Sequence, residues 1–470
     1  MSLPKDALSL ADLSGHTPVI VGVGREGLAM ARKLATLPQP PRVMAVDGSD
    51  GAHAEAFREE FGSLIELFVV DSDDLPPELS QATLAVMSPG ISPQSDLHRS
   101  IRALGIPLTS GSALFVADHR DHMVGVTGSK GKSTTTTLIH ALLEGSGVRV
   151  GLGGNMGIPL QGLEESDFYA VELSSYQCHY LEASPGVVAL TALFPEHLDW
   201  HGSCESYYAD KLNIAGHQPR RVIAHGDDGT LREEIVRRYP DLAITWVGSG
   251  HEWHLEDDGE HSWLCRGDRK LFHTGSSVVL GRHNHLNMLI AVATADATGL
   301  LDYGALESVL SEFRPLAHRL ETISDPSGIV FVNDSLATNP QAASAALRSL
   351  SSPGMVWIVG GQDRGVDYQP LVAQVLESKP RHILGIPGSG EKLIGLFRSA
   401  LEQAGSLGEV HLESVESMEQ AVGRARELAR PGDYVLLSPA APSFGQYRDY
   451  QHRAEDFINC IRATSIEERT

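Results

Sequence analysis

Short apolar runs alternate with amphipathic stretches along most of this chain. The run PVIV at 18–21 is followed by a stretch of helical periodicity, and the same succession returns at 123–138 and 329–349. Uninterrupted apolar runs are typical of strands buried on both faces of a parallel sheet, and the amphipathic stretches between them predict the helices that cover it. The pattern therefore predicts an α/β protein with open parallel sheets.

The chain is long enough for more than one such sheet. It has 470 residues, of which 42% are apolar, so two or three domains can each bury a core. A turn at 110–112 (SGS) closes the first group of strands, and a third group begins after FRPLAHRLE at 313–321. We therefore predict three domains, at residues 1–112, 113–315 and 316–470.

The most specific chemistry lies at 123–138, MVGVTGSKGKSTTTTL. An apolar strand leads into a glycine-rich turn, and Lys132 and Ser133 stand at the start of the following helix. Such a turn closes backbone N–H groups around phosphate oxygens, while the lysine reaches the β/γ-phosphates and the hydroxyl ligates magnesium. The common pattern G-x-x-x-x-G-K-[ST] has a glycine where this chain has Val126, so the loop is a tighter variant. We interpret it as a nucleotide-phosphate site.

A second glycine motif, GxGxxG at 22–27, also stands between a strand and a helix. The next strand ends in Asp47, where an acid can meet a ribose hydroxyl. Alone, this arrangement indicates a dinucleotide-dependent oxidoreductase, but the pyrophosphate of a UDP-sugar fits the same helix N-terminus. Ser88-Pro89-Gly90 ends a further strand and serves either as a plain turn or as a ligand contact. Both alternatives stay open here.

Polar side chains also follow the strands of the central part of the chain. Glu172 ends an apolar strand beside the phosphate loop, and is placed to hold magnesium directly or through water. His197, Asp199 and His201 fit either a metal site or hydrogen-bonded loop positions. Residues 219–280 are predicted to be rich in strands with polar turns.

Two asparagines and a third group of strand ends complete the candidate chemistry. Asn284 and Asn287 lie on one face of a predicted helix and have hydrogen-bonding edges suited to a purine, although Asn284 also suits a helix cap. Three strands of the third predicted domain end in polar residues, at 333–335, 363–364 and 438–450. This pattern predicts a second open α/β sheet, with polar groups gathered at its strand ends.

Composition narrows the class of protein. The formal net charge of −23 argues against nucleic acid or an anionic membrane as a partner. Four cysteines lie far apart and without metal-type spacing, which fits a reducing compartment. The N-terminal stretch lacks the basic and apolar regions of a signal peptide, and no apolar run approaches the roughly 18 residues of a membrane span. We predict a cytoplasmic protein without membrane insertion.

Taken in order, the motifs of this chain resemble those of the Mur ligase family, the ATP-dependent amino-acid ligases of peptidoglycan synthesis. The matching stretches cover almost the whole chain: TGSKGKST, GGNMG, ELSSYQ, PEHLDWHG, DKL, GRHNHLN, HRLE, VNDS, GGQDRG and LLSPAAPSFGQY. The resemblance implies a Rossmann-like N-terminal domain, a central P-loop ATPase-like domain and a C-terminal Rossmann-like domain. It also implies ATP and Mg²⁺ as cofactors, and we expect a monomer.

The resemblance further implies a role for each matching residue. Those that would contact ATP are Thr127, Gly128, Ser129, Lys130, Gly131, Lys132, Ser133, Thr134, Asn287, Arg319 and Asp334. Those of the magnesium site would be Ser133, Glu172, His197 and Lys211, with Lys211 carried as a carbamate. The catalytic residues would be Lys132, His197 and Lys211. The UDP end of the acceptor would meet Gly24, Arg25, Glu26, Gly27, Asp47, Ser88, Pro89 and Gly90. The rest of the acceptor would face Asn155, Ser174 and Gln177, and glutamate would face Thr338, Arg364, Ser443 and Tyr450.

Within the family, ELSSYQ, NDSLATN and SPAAPSF resemble the MurD type, which adds glutamate to UDP-N-acetylmuramoyl-L-alanine through an acyl phosphate. Ordinary D-glutamate ligases usually have a lysine where this chain has Leu336, and a smaller branch that lacks it adds L-glutamate. We therefore predict L-glutamate as the substrate and keep D-glutamate as the alternative. A folylpolyglutamate synthetase, a P-loop regulatory protein and a nicotinamide-dinucleotide oxidoreductase are more distant alternatives; the last leaves Lys132 and Ser133 without a role.

Overall fold

The computed structural model of the chain describes residues 7–467, except 71–74, 157, 260, 278, 280, 315–319, 324, 351–353 and 364–365. The chain folds as two compact units, Met1–Phe313 and Arg314–Thr470. The first unit contains two sheets and the second contains one.

Five parallel strands form the first sheet. They are β1 (Pro18–Val21), β2 (Met44–Asp47), β3 (Glu66–Val69), β4 (Leu84–Met87) and β5 (Leu108–Ser110). The helices of this part are α1 (Arg25–Ala35), α2 (Ala52–Phe61), α3 (Asp96–Ala103) and α4 (Gly111–His119). The strand order is β3-β2-β1-β4-β5, so the order reverses between β1 and β4. Open α/β sheets bind ligands beside such a reversal, at the carboxyl ends of the strands.

Nine strands form the second sheet. They are β6 (Met123–Thr127), β7 (Val150–Gly154), β8 (Phe168–Glu172), β9 (Val187–Leu190), β10 (Arg221–His225), β11 (Ile244–Val247), β12 (Trp253–Asp257), β13 (Ser262–Arg266) and β14 (Arg269–His273). The helices are α5 (Lys132–Gly145), α6 (Ser175–His179), α7 (Leu198–His201), α8 (Cys204–Leu212), α9 (Gly229–Arg238), α10 (Arg282–Thr298) and α11 (Leu306–Glu312). The order is β14-β13-β12-β11-β10-β9-β6-β8-β7, with antiparallel pairing only at β12–β13 and β13–β14 among the described strands.

Six strands form the sheet of the second unit. They are β15 (Glu321–Ile323), β16 (Val330–Asn333), β17 (Val356–Val359), β18 (His382–Gly385), β19 (His411–Ser414) and β20 (Tyr434–Leu437). The helices are α12 (Pro340–Ser349), α13 (Gln369–Ser378), α14 (Gly390–Gln403), α15 (Met418–Leu428) and α16 (Tyr450–Glu467). The order is β15-β16-β20-β17-β18-β19, and β15 alone of these runs antiparallel to its neighbour. The ends of β16, β20 and β17 therefore lie side by side.

The apolar runs are buried on both faces, which is why they form central parallel strands. In β1, Val19 and Val21 pack in one core while Ile20 packs in the core on the opposite face. The core that contains Val19 continues into the second sheet, where it includes Tyr169 and Val188. The two sheets thus share apolar packing, which accounts for their membership in one compact unit.

The prediction of an α/β fold with parallel sheets is confirmed. The stretch 219–280 does contain β10 to β14, but it also contains α9, which the sequence pattern did not predict. Short 3₁₀ helices occur at Leu10–Gly15, Pro77–Gln81, Arg120–His122, Leu160–Gly162, Asn213–Ala215, Thr274–Ser276 and Leu407–Glu409. Across the described ranges, we find no helix with the length and apolar character that crossing a bilayer requires.

Candidate active site

The loop between β6 and α5 has the backbone geometry of an anion-binding turn. Gly128 has a φ of +151° and Gly131 a φ of +90°, a region that residues with a Cβ rarely adopt. At the end of β6 the Thr127 hydroxyl donates to the carbonyl oxygen of Leu173 at 2.7 Å. The helix begins at Lys132, so the N–H groups of its first turn face the loop.

Neighbouring side chains hold this loop in place. The Ser129 hydroxyl donates to the carbonyl oxygen of Phe194 at 2.6 Å. Lys130 forms an ion pair with Glu196 at 3.0 Å, and Thr134 lies in the first turn of α5. The structure therefore brings the predicted residues 127–134 together where β6 turns into α5, and neighbouring side chains hold this turn on both sides.

Asn287 of α10 packs directly over the glycine-rich turn. A Cβ at Gly131 would lie 2.4 Å from the Oδ1 atom of Asn287, so the close approach requires glycine there. The Nδ2 atom of Asn287 donates to Oδ1 of Asn284 at 3.4 Å. The two asparagines thus lie beside the loop, as their shared helix face predicts; contact with adenine stays a prediction.

Two polar side chains converge on Glu172, which is 2% exposed at the end of β8. The Ser133 hydroxyl donates to its Oε2 atom at 2.5 Å, and the Nδ2 atom of Asn155 donates to its Oε1 atom at 2.6 Å. A hydroxyl and a carboxylate beside a phosphate loop are the oxygen ligands that magnesium takes, together with phosphate oxygens and water. Among the described residues, no group of three or more His, Cys, Asp or Glu side chains has metal-binding geometry.

Lys211 of α8 is buried beside the phosphate loop, with 2% of its surface exposed. Its Nζ atom donates to the carbonyl oxygen of Gly128 at 2.9 Å and lies 5.1 Å from the centroid of the Tyr207 ring. Burial and then the charge of Lys132 lower the pKa of Lys211 from 10.5 to about 7. Near neutral pH, a large fraction of this side chain is therefore an uncharged amine.

His201 belongs to a buried hydrogen-bonded network. Its Nδ1 atom is 2.6 Å from Oδ2 of Asp210, and its Nε2 atom is 2.9 Å from the hydroxyl of Ser175. The other oxygen of Asp210 is 2.7 Å from Nδ1 of His179. Both ring nitrogens of His201, at the end of α7, are therefore engaged in hydrogen bonds within the fold.

His197 adopts a left-handed backbone conformation just before α7, with a φ of 54°. Its imidazole lies edge-on to the ring of Tyr176, with centroids 5.2 Å apart, and Tyr176 stacks on Trp200 at 4.5 Å. The side chain of Asp199 lies outside the described part of the structure. A metal-site role for His197 stays a prediction.

The GxGxxG turn after β1 is tied to the loops of neighbouring strands. Gly22 has a φ of +87°, and a Cβ at Gly27 would lie 2.1 Å from the carbonyl oxygen of Gly22, so α1 packs against the strand end only with glycine at 27. The backbone N–H of Val23 donates to Asp47 at 2.8 Å, and the Ser88 hydroxyl donates to the carbonyl oxygen of Gly22 at 2.6 Å. The loops after β1, β2 and β4 therefore form one rigid surface.

A cleft of about 380 Å³ opens on this surface and extends to the second sheet of the same unit. It is lined by Gly22, Gly24, Arg25, Glu26, Asp47, Ser88, Pro89, Gly90, Ile91, Asn155, Ser174, Tyr176 and Gln177. Every predicted acceptor residue lines it except Gly27, which lies beneath the turn. Sequence reasoning missed Ile91 and Tyr176, because an apolar or aromatic side chain in a turn carries no chemical signature by itself.

A direct contact joins the two sides of this cleft. The Nε2 atom of Gln177 donates to Oε1 of Glu26 at 3.3 Å. Ser174 and Gln177 also form a capping box at the start of α6, which fixes the direction of both side chains. Burial raises the pKa of Glu26, although Arg25 and the bond from Gln177 act in the opposite direction.

In the second unit, polar groups gather at the carboxyl ends of β16 and β20. Asp334 accepts a hydrogen bond from the Ser438 hydroxyl at 2.7 Å and another from the backbone N–H of Leu320 at 3.2 Å. The Ser335 hydroxyl donates to the carbonyl oxygen of Tyr450 at 2.8 Å. These bonds tie the loop after β16 to the loop after β20 and to the start of α16.

The predicted glutamate residues are only partly described. Ser443 is buried in the loop after β20, and the backbone N–H of Thr338 donates to the carbonyl oxygen of Leu336 at 2.9 Å. Arg319 and Arg364, which the motifs assign to ATP and to glutamate, lie outside the described residues. Their roles, like those of the other site residues, stay predictions.

Comparison with known proteins agrees with these observations. The family model of the Mur ligase middle domain matches residues 126–295, and that of the Mur ligase glutamate ligase domain matches residues 318–441. A UDP-N-acetylmuramoyl-L-alanine--L-glutamate ligase of a Micromonospora species is 40% identical over 463 residues, which are 97% of this chain and 99% of the relative. A relative of the same name from Salinispora tropica is 38% identical over 462 residues, 97% of this chain and 100% of the relative.

Solved structures show the same architecture. The structure of MurF ligase from Thermotoga maritima in complex with ADP is 15% identical to this chain and has a TM-score of 0.55. The similarity covers 98% of this chain and 100% of that one. At this level of identity the similarity concerns the fold alone. The prediction of the three-domain architecture of Mur ligases is confirmed.

Proposed function

This chain belongs to the Mur ligase family and is an ATP-dependent ligase that forms amide bonds, and we propose that it joins L-glutamate to UDP-N-acetylmuramoyl-L-alanine. The observation that carries the proposal is the position of Asn155. Its side chain lines the cleft and donates to Glu172, which in turn accepts from Ser133 of the phosphate loop. An acceptor in the cleft would therefore have its reacting end beside the triphosphate, as peptidoglycan precursor synthesis requires.

The shape of the cleft supports a nucleotide-sugar acceptor over a dinucleotide cofactor. The N-terminus of α1 opens on the cleft and attracts a pyrophosphate, and the cleft then continues toward the second sheet. We assign the UDP end to Gly24, Arg25, Glu26, Gly27, Asp47, Ser88, Pro89 and Gly90, and the alanine end to Asn155, Ser174 and Gln177.

We assign the triphosphate to residues 127–134. The ammonium group of Lys132 donates to the carbonyl oxygens of Gly128 and Ser129 at 2.8 and 3.0 Å, so it lies over the loop that would bind phosphate. Ser133 and Glu172 offer oxygen atoms that fit Mg²⁺, and we assign His197 to the same site. Bound magnesium neutralises charge on the triphosphate. We also assign Asn287 to the adenine, and Arg319 and Asp334 to ATP.

Lys211 fits a carbamate better than a free ammonium group. Its amine is buried within hydrogen-bond distance of a loop that already carries Lys132, and its pKa of about 7 leaves much of it neutral. A neutral amine adds to carbon dioxide and releases a proton, which converts the side chain into an anion. That anion would pair with Lys132 and offer an oxygen to the magnesium site, whereas a second cation would repel both.

The proposed reaction has two steps. A carboxylate oxygen of the acceptor attacks the γ-phosphorus of ATP, the bond to the β-phosphate oxygen breaks, and ADP leaves an acyl phosphate behind. The amine of glutamate then attacks the acyl carbon, the carbon–oxygen bond to phosphate breaks, and the amine loses a proton. Lys132 stabilises the charge that develops on the phosphoryl oxygens, and the cleft positions the acceptor.

The remaining assignments concern which part of the chain binds which substrate. We propose that residues 1–112 bind the UDP end, that residues 113–315 bind ATP, and that residues 316–470 bind glutamate, in a cytoplasmic monomer. Thr338, Arg364, Ser443 and Tyr450 are the proposed contacts of glutamate. L-Glutamate is favoured over D-glutamate by the apolar Leu336 in the turn after β16 and by the similarity to relatives that are named L-glutamate ligases.

Isotope transfer tests the proposed chemistry. UDP-N-acetylmuramoyl-L-alanine labelled with ¹⁸O in its carboxylate is incubated with the protein, ATP, Mg²⁺ and glutamate, and the released phosphate is analysed by mass. One ¹⁸O atom in each phosphate is the expected result, because the acyl phosphate retains an acceptor oxygen. Unlabelled phosphate, or ADP formation that does not depend on the acceptor, would contradict the proposal.

A further inference from the structure

Arg453, in the first turn of α16, is completely buried in the second unit. Its Nε atom donates to the hydroxyl of Ser335 at 3.0 Å, and its Nη2 atom donates to the carbonyl oxygen of the same residue at 2.8 Å. Its Nη1 atom donates to the carbonyl oxygen of Ala441 at 3.0 Å. One guanidinium group therefore connects the loop after β16 with the loop after β20.

The same group also touches the loop after β17. A Cβ at Gly361 would lie 2.9 Å from Nη1 of Arg453 and 2.4 Å from the carbonyl oxygen of Pro442, so this glycine packs against both. The backbone N–H of Gln362 donates to that carbonyl oxygen at 2.8 Å. Because β16, β20 and β17 are neighbours in the sheet, the loops after three adjacent strands meet at Arg453.

The charge of Arg453 is solvated by dipoles. Its hydrogen-bond acceptors are two carbonyl oxygens and one hydroxyl, and no carboxylate of the described residues forms an ion pair with it. Burial lowers the pKa of Arg453 to about 10, so it stays protonated near neutral pH. A buried cation without a neutralising anion attracts anions that bind nearby, because the low dielectric screens it weakly.

Arg426 of α15, in the same unit, is also buried but forms an ion pair with a carboxylate. Its side chain is 7% exposed, and its guanidinium donates to both oxygens of Asp325 at 2.6 and 3.0 Å. It also donates to the hydroxyl of Thr464 and stacks on Phe331 at 4.9 Å. This second buried arginine is neutralised within the fold, and it lies at the amino end of β16, whereas Arg453 lies at the carboxyl end.

The backbone segments that Arg453 holds lie next in sequence to the proposed glutamate contacts. Thr338 follows Ser335 by three residues, Ser443 follows Ala441 by two, and Tyr450 precedes Arg453 by three. The inference rests on the proposed function. We propose that Arg453 is a positioning residue that holds the loops after β16, β17 and β20 in the arrangement that binds glutamate, and that its uncompensated charge favours this dicarboxylate substrate.

The test compares Arg453→Lys with Arg426→Lys in the full-length protein. A lysine keeps the positive charge, but its single ammonium group cannot reach Ser335 and Ala441 at the same time as the planar guanidinium does. We therefore expect the KM for glutamate to rise about tenfold in Arg453→Lys. The KM for UDP-N-acetylmuramoyl-L-alanine should change less than about twofold, because its proposed site lies in the first unit. Arg426→Lys should leave the KM for glutamate unchanged, even if it lowers the melting temperature as much as Arg453→Lys does.

A milder variant and a rescue experiment keep the inference testable if Arg453→Lys does not fold. Ser335→Ala removes one acceptor of Arg453 and should raise the KM for glutamate about threefold. Ethylguanidinium added to Arg453→Gly should restore part of the affinity for glutamate. A KM for glutamate that stays unchanged in Arg453→Lys and Ser335→Ala would overturn the inference, while the proposed function itself fails only if the unmutated protein does not use glutamate.

Discussion

The ammonium groups of Lys132 and Lys211 donate to the same acceptor, the carbonyl oxygen of Gly128, at 2.8 Å and 2.9 Å. Two cations that share one carbonyl oxygen repel each other, and the second lies in a site where water cannot screen the repulsion. Burial and, after it, this repulsion lower the pKa of Lys211 to about 7, which distinguishes it from Lys132. We therefore propose Lys132 as the cation for phosphate and Lys211 as the amine that is modified.

Removal of the Lys132 charge should abolish catalysis without affecting the acceptor. We expect Lys132→Met to lower turnover by about 10³-fold, because the developing phosphoryl charge loses its cation. Binding of UDP-N-acetylmuramoyl-L-alanine, measured by calorimetry, should change little, since the cleft does not include this residue. Lys270→Met, a surface variant on β14, is the matched control. Loss of acceptor binding in Lys132→Met would contradict the separate assignment of the two sites.

Replacement of Lys211 by alanine should create a defect that small acids repair. The variant lacks the proposed carbamate, and we expect turnover to fall about a hundredfold. Acetate or formate can enter the space left by the side chain and supply a carboxylate there, so millimolar amounts should restore part of the rate. Chloride at equal ionic strength is the control. Rescue by chloride to the same extent, or no rescue by any acid, would argue against an anionic role for Lys211.

The pKa of Lys211 predicts an acidic limb in the rate profile. Its folded pKa lies at about 7, below the ordinary 10.5, so the amine is neutral above pH 7 and protonated below it. Only the neutral form reacts with carbon dioxide. Carbamate formation itself releases a further proton, so at fixed dissolved carbon dioxide turnover should fall by more than about tenfold for each unit below pH 7. Lys211→Ala rescued by acetate should lack this limb between pH 6 and 7. An identical limb in both proteins would assign it to another group.

Gly27 tests the packing that shapes the acceptor cleft. A Cβ there would lie 2.1 Å from the carbonyl oxygen of Gly22, so Gly27→Ala must push α1 away from the end of β1. We expect the free energy of unfolding to fall by about 2 kcal/mol and the affinity for the UDP acceptor to fall about tenfold. Gly395→Ala inside α14, where a Cβ meets nothing within 4 Å, should lower neither quantity. Urea denaturation and acceptor calorimetry measure the two quantities, and equal behaviour of the two variants would contradict this account.

The parts of the site that could be predicted from the sequence are those formed by short contiguous segments of the chain. The phosphate loop needs glycine at 128 and 131 because both adopt positive φ, and Lys132 follows them directly in the chain. The GxGxxG turn is local for the same reason. The cleft was predictable as well, because its residues stand at the ends of parallel strands, which must meet at one edge of a sheet.

Contacts between distant segments were not predictable. Arg453 and Ser335 are 118 positions apart, and nothing in the local pattern of α16 marks Arg453 as a buried residue. Asp210 bridges His179 and His201 in the same way, with a partner from another segment on each side. The helix α9 was missed because its short amphipathic stretch lies between strands. Such features depend on tertiary packing, which residue spacing alone does not determine.

The most direct test of the central claim is the choice between the two enantiomers of glutamate. Purified protein is supplied with ATP, Mg²⁺ and UDP-N-acetylmuramoyl-L-alanine, and with L- or D-glutamate in separate reactions, while phosphate release and product mass are followed. We predict turnover with L-glutamate, a product heavier than the acceptor by one glutamyl residue, and no more than background with D-glutamate. Turnover with D-glutamate alone would contradict the L-glutamate assignment, and failure with both would contradict the proposed substrate altogether.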